Sequence, residues 1–558
     1  MLKEVKLELE GFDPNTIADE KTRRVFVCLI KAVESLCATV QEQAEEMQRL
    51  RDENNRLKGE QGKPKIRAKI VTTDVSSEKE RQESKAHQKG SKQRQIRVDR
   101  EEVLRVEAKD LPEDAQFKGY EEVIIQDIEL RTENIQFRKE KYYSPSQRRT
   151  YLAAMPAGYD GQFGPKVKAW VLAWYYEAGM SEPKILELLQ TVGLSISAGQ
   201  LSNMLIKEQE IFHVEKREVV QAGLASSPWQ HIDSTATRVA GKNEHCHVIC
   251  NPLYTAYFTM ATKDRLSLLK VLLGGTELVF RLNERALSLL ERFGLPQKWV
   301  KQLCKLLPAE HDYTQEQLET WLDEHLPKLG VQQRKWVKDA LAIAAYHTQQ
   351  RFPVVDLLLC DDAPQFNWLT DLLALCWIHE YRHYKKLTPH IPSHRTLLDA
   401  FKEDFWKFYR SLLAYRHNPS TDEAQRLRDT FDQFFAVSAD ENCYTQLEER
   451  KALTRAKKEA LLLVLIHPEI LLHNNPAELG ARQRVRKRDV SLHACTSLGI
   501  QAWDTFQTLV ATAKKLEVNI YQYFADRITQ HNQFPSLAHL IHQRAQNLSL
   551  SASWCADP

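Results

Sequence analysis

The sequence predicts a mixed α/β chain built from several domains, and three observations carry that prediction. An apolar seam stepping by threes and fours runs through residues 26–57, three short alternating runs follow one another between 229 and 260, and an apolar run, PVVDLLLC, is set among long helical stretches. At 558 residues the chain is too long for one core, and its length suggests three or four domains. Hydrophobic content of 43% and charged content of 27% are those of an ordinary globular chain, and a formal net charge of +2 argues neither for nor against nucleic acid. Without an apolar run of membrane-spanning length or an apolar N-terminal leader, the expected location is the cytoplasm. The ten Cys are scattered with no C-x-x-C pair, which fits reduced thiols.

The first element, over 1–58, is expected to be a coiled-coil dimerisation segment. Val33, Val40, Met47 and Asn54 fall at a, and Leu29, Leu36, Leu50 and Leu57 at d. β-branched a residues, Leu at d and one Asn at a favour a parallel pair, so residues 26–57 are the expected homodimer contact. Residues 59–100 are polar, lack aromatics and carry about two Lys/Arg per acid. They read as a flexible basic linker, either a solvated tether or a sequence-independent phosphate contact.

Residues 101–225 are expected to be strand-rich and then helical. EEVIIQDIELR and NIQFRKEKYYS alternate like antiparallel strands, and helices are expected at 164–178, at 181–192 and in AGQLSNMLIKEQ. Helix, Gly-containing turn and Ser-capped helix outline a helix-turn-helix, whose second helix would enter a major groove. Residues 226–274 then predict a three-strand meander turning first at Gly241-Lys242-Asn243, followed by a helix. Residues 275–350 form a helical segment. PVVDLLLC reads as a buried central strand ending at Asp361, and everything from Asn367 onward is expected to be helical, through 351–500 and the C-terminal segment 501–558.

Two constellations suggest chemistry. WIHEYRH contains H-E-x-x-H (His379, Glu380, His383), which on a helix can hold zinc with the Glu as base. Arg382 within the motif, Lys386 at the metzincin Gly position and Lys407 after the third-ligand candidate Glu403 all argue against a zinc metalloprotease. The second is acidic. Asp233 lies mid-strand in HIDST, Asp361 stands just past the apolar strand, and Glu478 opens a basic helix. A carboxylate in a strand is costly unless paired, protonated or metal-bound. Three converging carboxylates can hold two divalent cations, and hard oxygens suit Mg²⁺ or Mn²⁺, so no zinc is expected. On the basic helix, Arg482, Arg484, Arg486, Lys487 and Arg488 are expected to meet DNA phosphate. Asn475 is the expected helix cap, with Pro476 in the first turn. His245, Cys246, His247 and Cys250 alternate faces on a strand and read as ordinary strand residues.

The chain resembles bacterial insertion-sequence transposases of the DDE class, of the large sixty-six type. HIDSTATRVAGKN resembles that family's first-Asp block, LLCDDAPQFNWL its second, ALCWIHEYRHYKKL its C-W-x-H helix, and NNPAELGARQRVRKRD its N-N-x-A-E block. The order of coiled coil, basic linker, strand-rich segment and helical hairpin agrees. The resemblance implies an RNase-H-like core with helical insertions, with Asp233, Asp361 and Glu478 as the metal-holding triad. It implies an enzyme that cleaves element ends and transfers strands into double-stranded target DNA, in the bacterial nucleoid, with accessory proteins of the same element as partners. His379 becomes the C-W-x-H histidine, supporting the site or hydrogen-bonding in the core. A catalytically retired DNA-binding descendant is the alternative. The chain departs from the family at Ser234, where Glu is usual, in lacking paired Cys for a zinc finger, and in its longer segment 275–350. Asp362 fills the family's usual Gly, and strand alignment selects Asp361 over Asp362.

Overall fold

The computed structural model describes residues 16–57 and 98–548, apart from 108, 110–111, 113–114, 129–130, 160, 439–442 and 493. The expected linker 59–100 lies almost wholly outside the described residues. The chain divides into two compact units: one comprises Met1–Thr72, Met155–Ile185 and Ala198–Pro558, the other Thr73–Ala154 and Leu186–Ser197.

Helix α1 (Glu20–Leu57) covers the heptad seam. Ile30 and Glu34 are buried in the same unit, and Glu34 accepts hydrogen bonds from His394 Nδ1 (2.9 Å) and His390 N (3.0 Å). The seam itself is open: Phe26, Leu29, Leu36, Val40, Met47 and Leu50 are all exposed.

In the smaller unit the expected strands are largely missing. Only a hairpin of β1 (Lys141–Ser144) and β2 (Arg149–Leu152) forms, while EEVIIQDIELR is irregular where described. Val123, Ile124, Ile125 and Ile128 stay exposed, so the alternation has no buried face to select a ladder. The three expected helices appear as α2 (Pro165–Tyr176), α3 (Glu182–Thr191) and α4 (Ala198–Ile206). Gly193, at φ +89°, ends α3, and Leu194 N donates back to Leu189 O at 3.0 Å, a Schellman closure. Helix α5 (Glu210–Ala225) follows.

The main sheet has five strands: β3 (Trp229–Val239), β4 (Lys242–Cys250), β5 (Thr255–Met260), β6 (Leu357–Cys360) and β7 (Leu372–Leu375), ordered β5-β4-β3-β6-β7. The meander β3–β4–β5 is antiparallel, and β6 and β7 add in parallel to β3. The first meander turn is not Gly241-Lys242-Asn243. Val239 pairs with Lys242, leaving Ala240 (φ +48°) and Gly241 (φ +79°) as a two-residue loop, the left-handed pair that matches strand twist. Strand β7 corrects the expectation that all residues from Asn367 are helical; LLAL is too short for its period to distinguish strand from helix.

Between β5 and β6 run α6 (Arg265–Leu272), α7 (Glu284–Arg292), α8 (Gln297–Leu306), α9 (Gln315–His325) and α10 (Val331–Thr348), the helical segment expected at 275–350. After β7 come α11 (Trp377–Lys385), α12 (Pro392–His417), α13 (Thr421–Phe434), α14 (Thr445–Arg455) and the short α15 (Lys458–Leu461). Trp377 is fully buried against Phe405 and Phe408 of α12, and its indole N–H donates to Leu461 O at 2.9 Å, which locks α11 in place. Helix α16 (Asn475–Ser491) lies across β3 and β4, and α17 (Ser497–Lys515), α18 (Ile520–Thr529) and α19 (Leu537–Leu548) complete the chain. Helix α17 covers the free edge of β5. Asp504, Thr508 and Thr512, four apart on one helix face, accept from Thr259 N (2.7 Å), Tyr257 N (3.1 Å) and Thr255 N (3.3 Å). The outward N–H groups of an edge strand are thereby satisfied by side chains rather than by another chain. Among the described residues, no helix is long and apolar enough to cross a membrane.

Candidate active site

Asp233 sits in β3, two residues beyond the stretch that pairs with β6. The parallel register ends at His231↔Leu359, so Asp233 and Asp361 each stand two residues beyond the last paired residues of their strands, at the same end of the β3–β6 ladder. Asp361 is the first residue past β6, and its Oδ1 accepts from Ala363 N at 3.2 Å. Residues 231 and 233 share a sheet face, and so does Val248, which pairs with Asp233. Helix α16 approaches this face closely at Gly480, where a Cβ would meet Val248 Cγ1 at 2.7 Å. Ala481 packs into the cluster of Cys246, Val248 and Tyr257. Glu478, two residues earlier, is thus brought toward the two Asp. The electrostatics agree: the carboxyl of Asp233 is pushed up to about 7, first by burial and then by the negative charges of Asp361 and Glu478, with Arg382 pulling it back.

Asp362 is turned to other use. It forms an ion pair with Lys457, which also reaches Glu380 at 3.4 Å. This geometry favours Asp361 as the residue that faces Asp233.

Helix α11 supplies the cationic side. Arg382 Nη2 lies 3.1 Å from Glu478 Oε2, and Nη1 donates to His379 Nε2 at 2.7 Å. An imidazole nitrogen that accepts from a guanidinium is unprotonated, so the His379 proton is on Nδ1, 3.6 Å from Glu478 Oε1. Burial and Arg382 both lower the His379 pKa. The H-E-x-x-H helix does not form a protease site. Glu380 is 2% exposed and bonded to Arg450 and Thr454. The one cluster of three or more ligand atoms among the described residues is Cys376, His379 and Glu478, within 4.8 Å of one another, without His383. The Cys376 thiol accepts from Asn474 N at 3.3 Å, and burial pushes its pKa up to about 11, so it stays protonated near neutral pH.

The expected cap at Asn475 is corrected. Asn474 precedes the helix and makes no capping bond; instead it is fully buried, with Oδ1 on His231 Nδ1 (3.0 Å) and Nδ2 on Ile232 O (2.7 Å). It ties the start of α16 to the strand carrying Asp233. Asn475 is the first helical residue, and its N donates to His473 Nδ1 at 3.4 Å. On the far sheet face, Ser234 bonds His247 Nδ1 (2.7 Å), whose Nε2 bonds Thr262 O (3.1 Å). A carbonyl only accepts, so His247 carries its proton on Nε2 and Ser234 donates. Burial lowers the His247 pKa to about 4, so the ring is neutral. Cys246 and Cys250 are buried core residues, as their strand alternation implied.

The basic set also divides. Arg482 and Arg486 are exposed. Arg484 is 1% exposed, ion-paired with Asp504 and stacked near Tyr257 and Trp503, and Lys487 is buried with Nζ on Tyr175 O at 2.6 Å. Neither can reach phosphate: their helix face packs on the core, and the expectation fails for them. Arg488 is half-buried and donates to Ala236 O at 2.9 Å. Residues missed from sequence are Arg382, Asn474 and His231. Arg382 was recognisable one turn from His379 on the same helix face; the other two were not, since their pairing crosses 243 residues.

Residues 160–275 match a family model described as Transposase IS66 family. That match contains Asp233 and ends before Asp361 and Glu478. The chain is also 28% identical over 332 residues to the uncharacterized protein y4jO of Sinorhizobium fredii (strain NBRC 101917 / NGR234), a stretch that is 59% of this chain and all of the relative.

Burial lowers the Lys487 pKa to about 7, so between that value and the unfolded value of about 10.4 the unfolded chain binds the extra proton. Stability contributed by this site therefore rises with pH across that window, with a slope of up to about 1.4 kcal/mol per pH unit. Urea unfolding at several pH values is expected to show this rise in the wild type and its loss in Lys487→Met; an unchanged slope in the variant would place Lys487 in solvent.

Proposed function

We propose that this chain is a DDE-class transposase, a polynucleotidyl transferase that cleaves insertion-sequence ends and joins them to target DNA. The observation that carries the reading is the approach of Asp361 and Glu478 to the buried Asp233, a repulsive set of carboxylates that a divalent cation would relieve. The five-stranded sheet, with its antiparallel meander followed by two parallel strands, supports an RNase-H-like core. The match of residues 160–275 to the transposase family supports the same reading.

Hard oxygen donors fit Mg²⁺ or Mn²⁺, and Asp233, Asp361 and Glu478 would hold two such ions. When bound, the ions activate the attacking oxygen and stabilise the leaving one in phosphoryl transfer. Water first breaks the phosphodiester at an element end, leaving a 3′-hydroxyl. That hydroxyl then attacks a target phosphodiester, so one bond forms as one breaks and no outside energy is needed. The protein's part is placement. In this reading the ends of β3 and β6 carry the two Asp, and α16, packed on the same sheet face as Asp233, carries Glu478. Arg382 pairs with Glu478, and Asn474 holds the helix start against β3. Arg482, one turn beyond Glu478, and Arg486 are exposed and would be the residues that meet DNA phosphate.

The exposed seam of α1 supports pairing of two copies, so that two ends are processed together. Light scattering is expected to give a dimer or larger assembly; a monomer at micromolar concentration would remove this part.

The catalytic reading is tested with DNA carrying the terminal repeats that flank the gene, plus Mg²⁺ or Mn²⁺. Nicks at the end junction are expected for wild type and Asp362→Asn, and a loss of at least about a hundredfold for Asp361→Asn. Equal nicking by wild type and Asp361→Asn would reject the triad.

A further inference from the structure

The helices between β5 and β6 form one wall of a groove of about 720 Å³, within the size range of small-ligand sites. The other wall is the segment after β5 and the loop after β6. That loop leaves Asp361 directly. Gln365, which lines the groove, is four residues from Asp361 and so within about 14 Å of it along the chain.

The lining has a particular chemistry. Lys263, Arg292 and Lys335 are exposed cations on its walls. Trp336, Trp368 and Phe293 supply aromatic faces. Trp368 is 40% exposed and is held at φ +67°, a left-handed backbone that a bulky residue adopts only where its surroundings impose it. The Arg265 guanidinium lies 5.0 Å from the Phe293 ring and 5.6 Å from that of Trp368, anchored beneath by Asp339 at 2.6 Å. Two polar atoms of that pair, Arg265 Nε and Asp339 Oδ1, have no hydrogen-bond partner among the described residues.

Cations spaced along a groove suit a phosphate backbone, and the exposed indole of Trp368 and the half-buried one of Trp336 suit the face of a base. In duplex DNA those faces are stacked on neighbouring pairs and only base edges are offered. We infer that this groove binds unpaired nucleotides of the DNA strand beside the scissile phosphate, with bases stacked on Trp336 and Trp368 and phosphates on Lys263, Arg292 and Lys335. The inference rests on the DNA-cleaving reading above for its location, but its test reads binding alone. It gives the helical segment 284–348 a role: holding open a strand end next to the carboxylates.

The test uses the full chain and fluorescence anisotropy, with a short labelled oligothymidylate and a blunt duplex as probes. Trp336→Ala/Trp368→Ala is expected to bind the single strand roughly tenfold more weakly, with little change for the duplex. Trp368→Phe, which keeps an aromatic face, is expected to retain most binding. Lys335→Glu, an exposed change that leaves the packing alone, is expected to weaken single-strand binding and flatten its salt dependence. Unchanged single-strand affinity in the double variant and in Lys335→Glu would overturn the inference. Equal losses for single strand and duplex would overturn it too, in favour of a general phosphate-binding face. If end cleavage proves independent of Asp361, the catalytic reading fails while the groove stands.

Discussion

The buried ion pair between Arg484 and Asp504 is the contact on which the site's geometry depends. Arg484 is 1% exposed, and Asp504 also accepts from both the backbone and the hydroxyl of Thr259. Three elements meet there: α16, which carries Glu478; α17, which covers the sheet edge; and β5. Removing one member of such a pair leaves a buried charge uncompensated, at a cost of about 3–5 kcal/mol. Glu478 lies six residues before Arg484, about 9 Å along the helix axis. With Gly480 allowing backbone contact at Val248 and Tyr257 donating to Gly480 O at 3.2 Å, the first turn of α16 has little freedom.

That rigidity lets a sheet tolerate a carboxylate in its interior. Around Asp233 the neighbouring polar groups are either neutral or matched. His231 is held unprotonated by burial, with its pKa lowered to about 3, and is bonded to Asn474. Ser234 and His247 form a closed chain ending on Thr262 O. The acidic groups that raise the Asp233 pKa are Asp361 and Glu478, and Arg382 pairs directly with Glu478. The same division explains the basic helix: one face is structural, and the other, with Arg482 and Arg486, is exposed.

Much of this was legible in the residues. The meander followed from three short strand-like runs between Trp229 and Met260 separated by turn residues. The central strand followed from an apolar run, and Asp361 from its position at the end of that run. The α1 seam followed from heptad spacing, which is local. What failed was information held by partners far along the chain. Arg484 and Lys487 look like their exposed neighbours until Asp504 and Tyr175 are brought beside them. Asn474 and Asn475 are interchangeable in sequence; only contact with His231 tells them apart. β7 is four apolar residues whose strand identity comes from pairing with β6. The alternation in EEVIIQDIELR lacked the partner that would turn a pattern into a strand.

The central claim is that Asp233, Asp361 and Glu478 form one cation site while Asp362 and the Cys376 thiol stand outside it. Mn²⁺ binding to the full chain, followed by electron paramagnetic resonance, tests it most directly. Tight Mn²⁺ is expected in the wild type, in Asp362→Asn and in Cys376→Ser, and its loss is expected in Asp233→Asn, Asp361→Asn and Glu478→Gln. Binding that survives Asp233→Asn and Asp361→Asn but is lost in Cys376→Ser would contradict the account, moving the metal to the Cys376, His379 and Glu478 cluster.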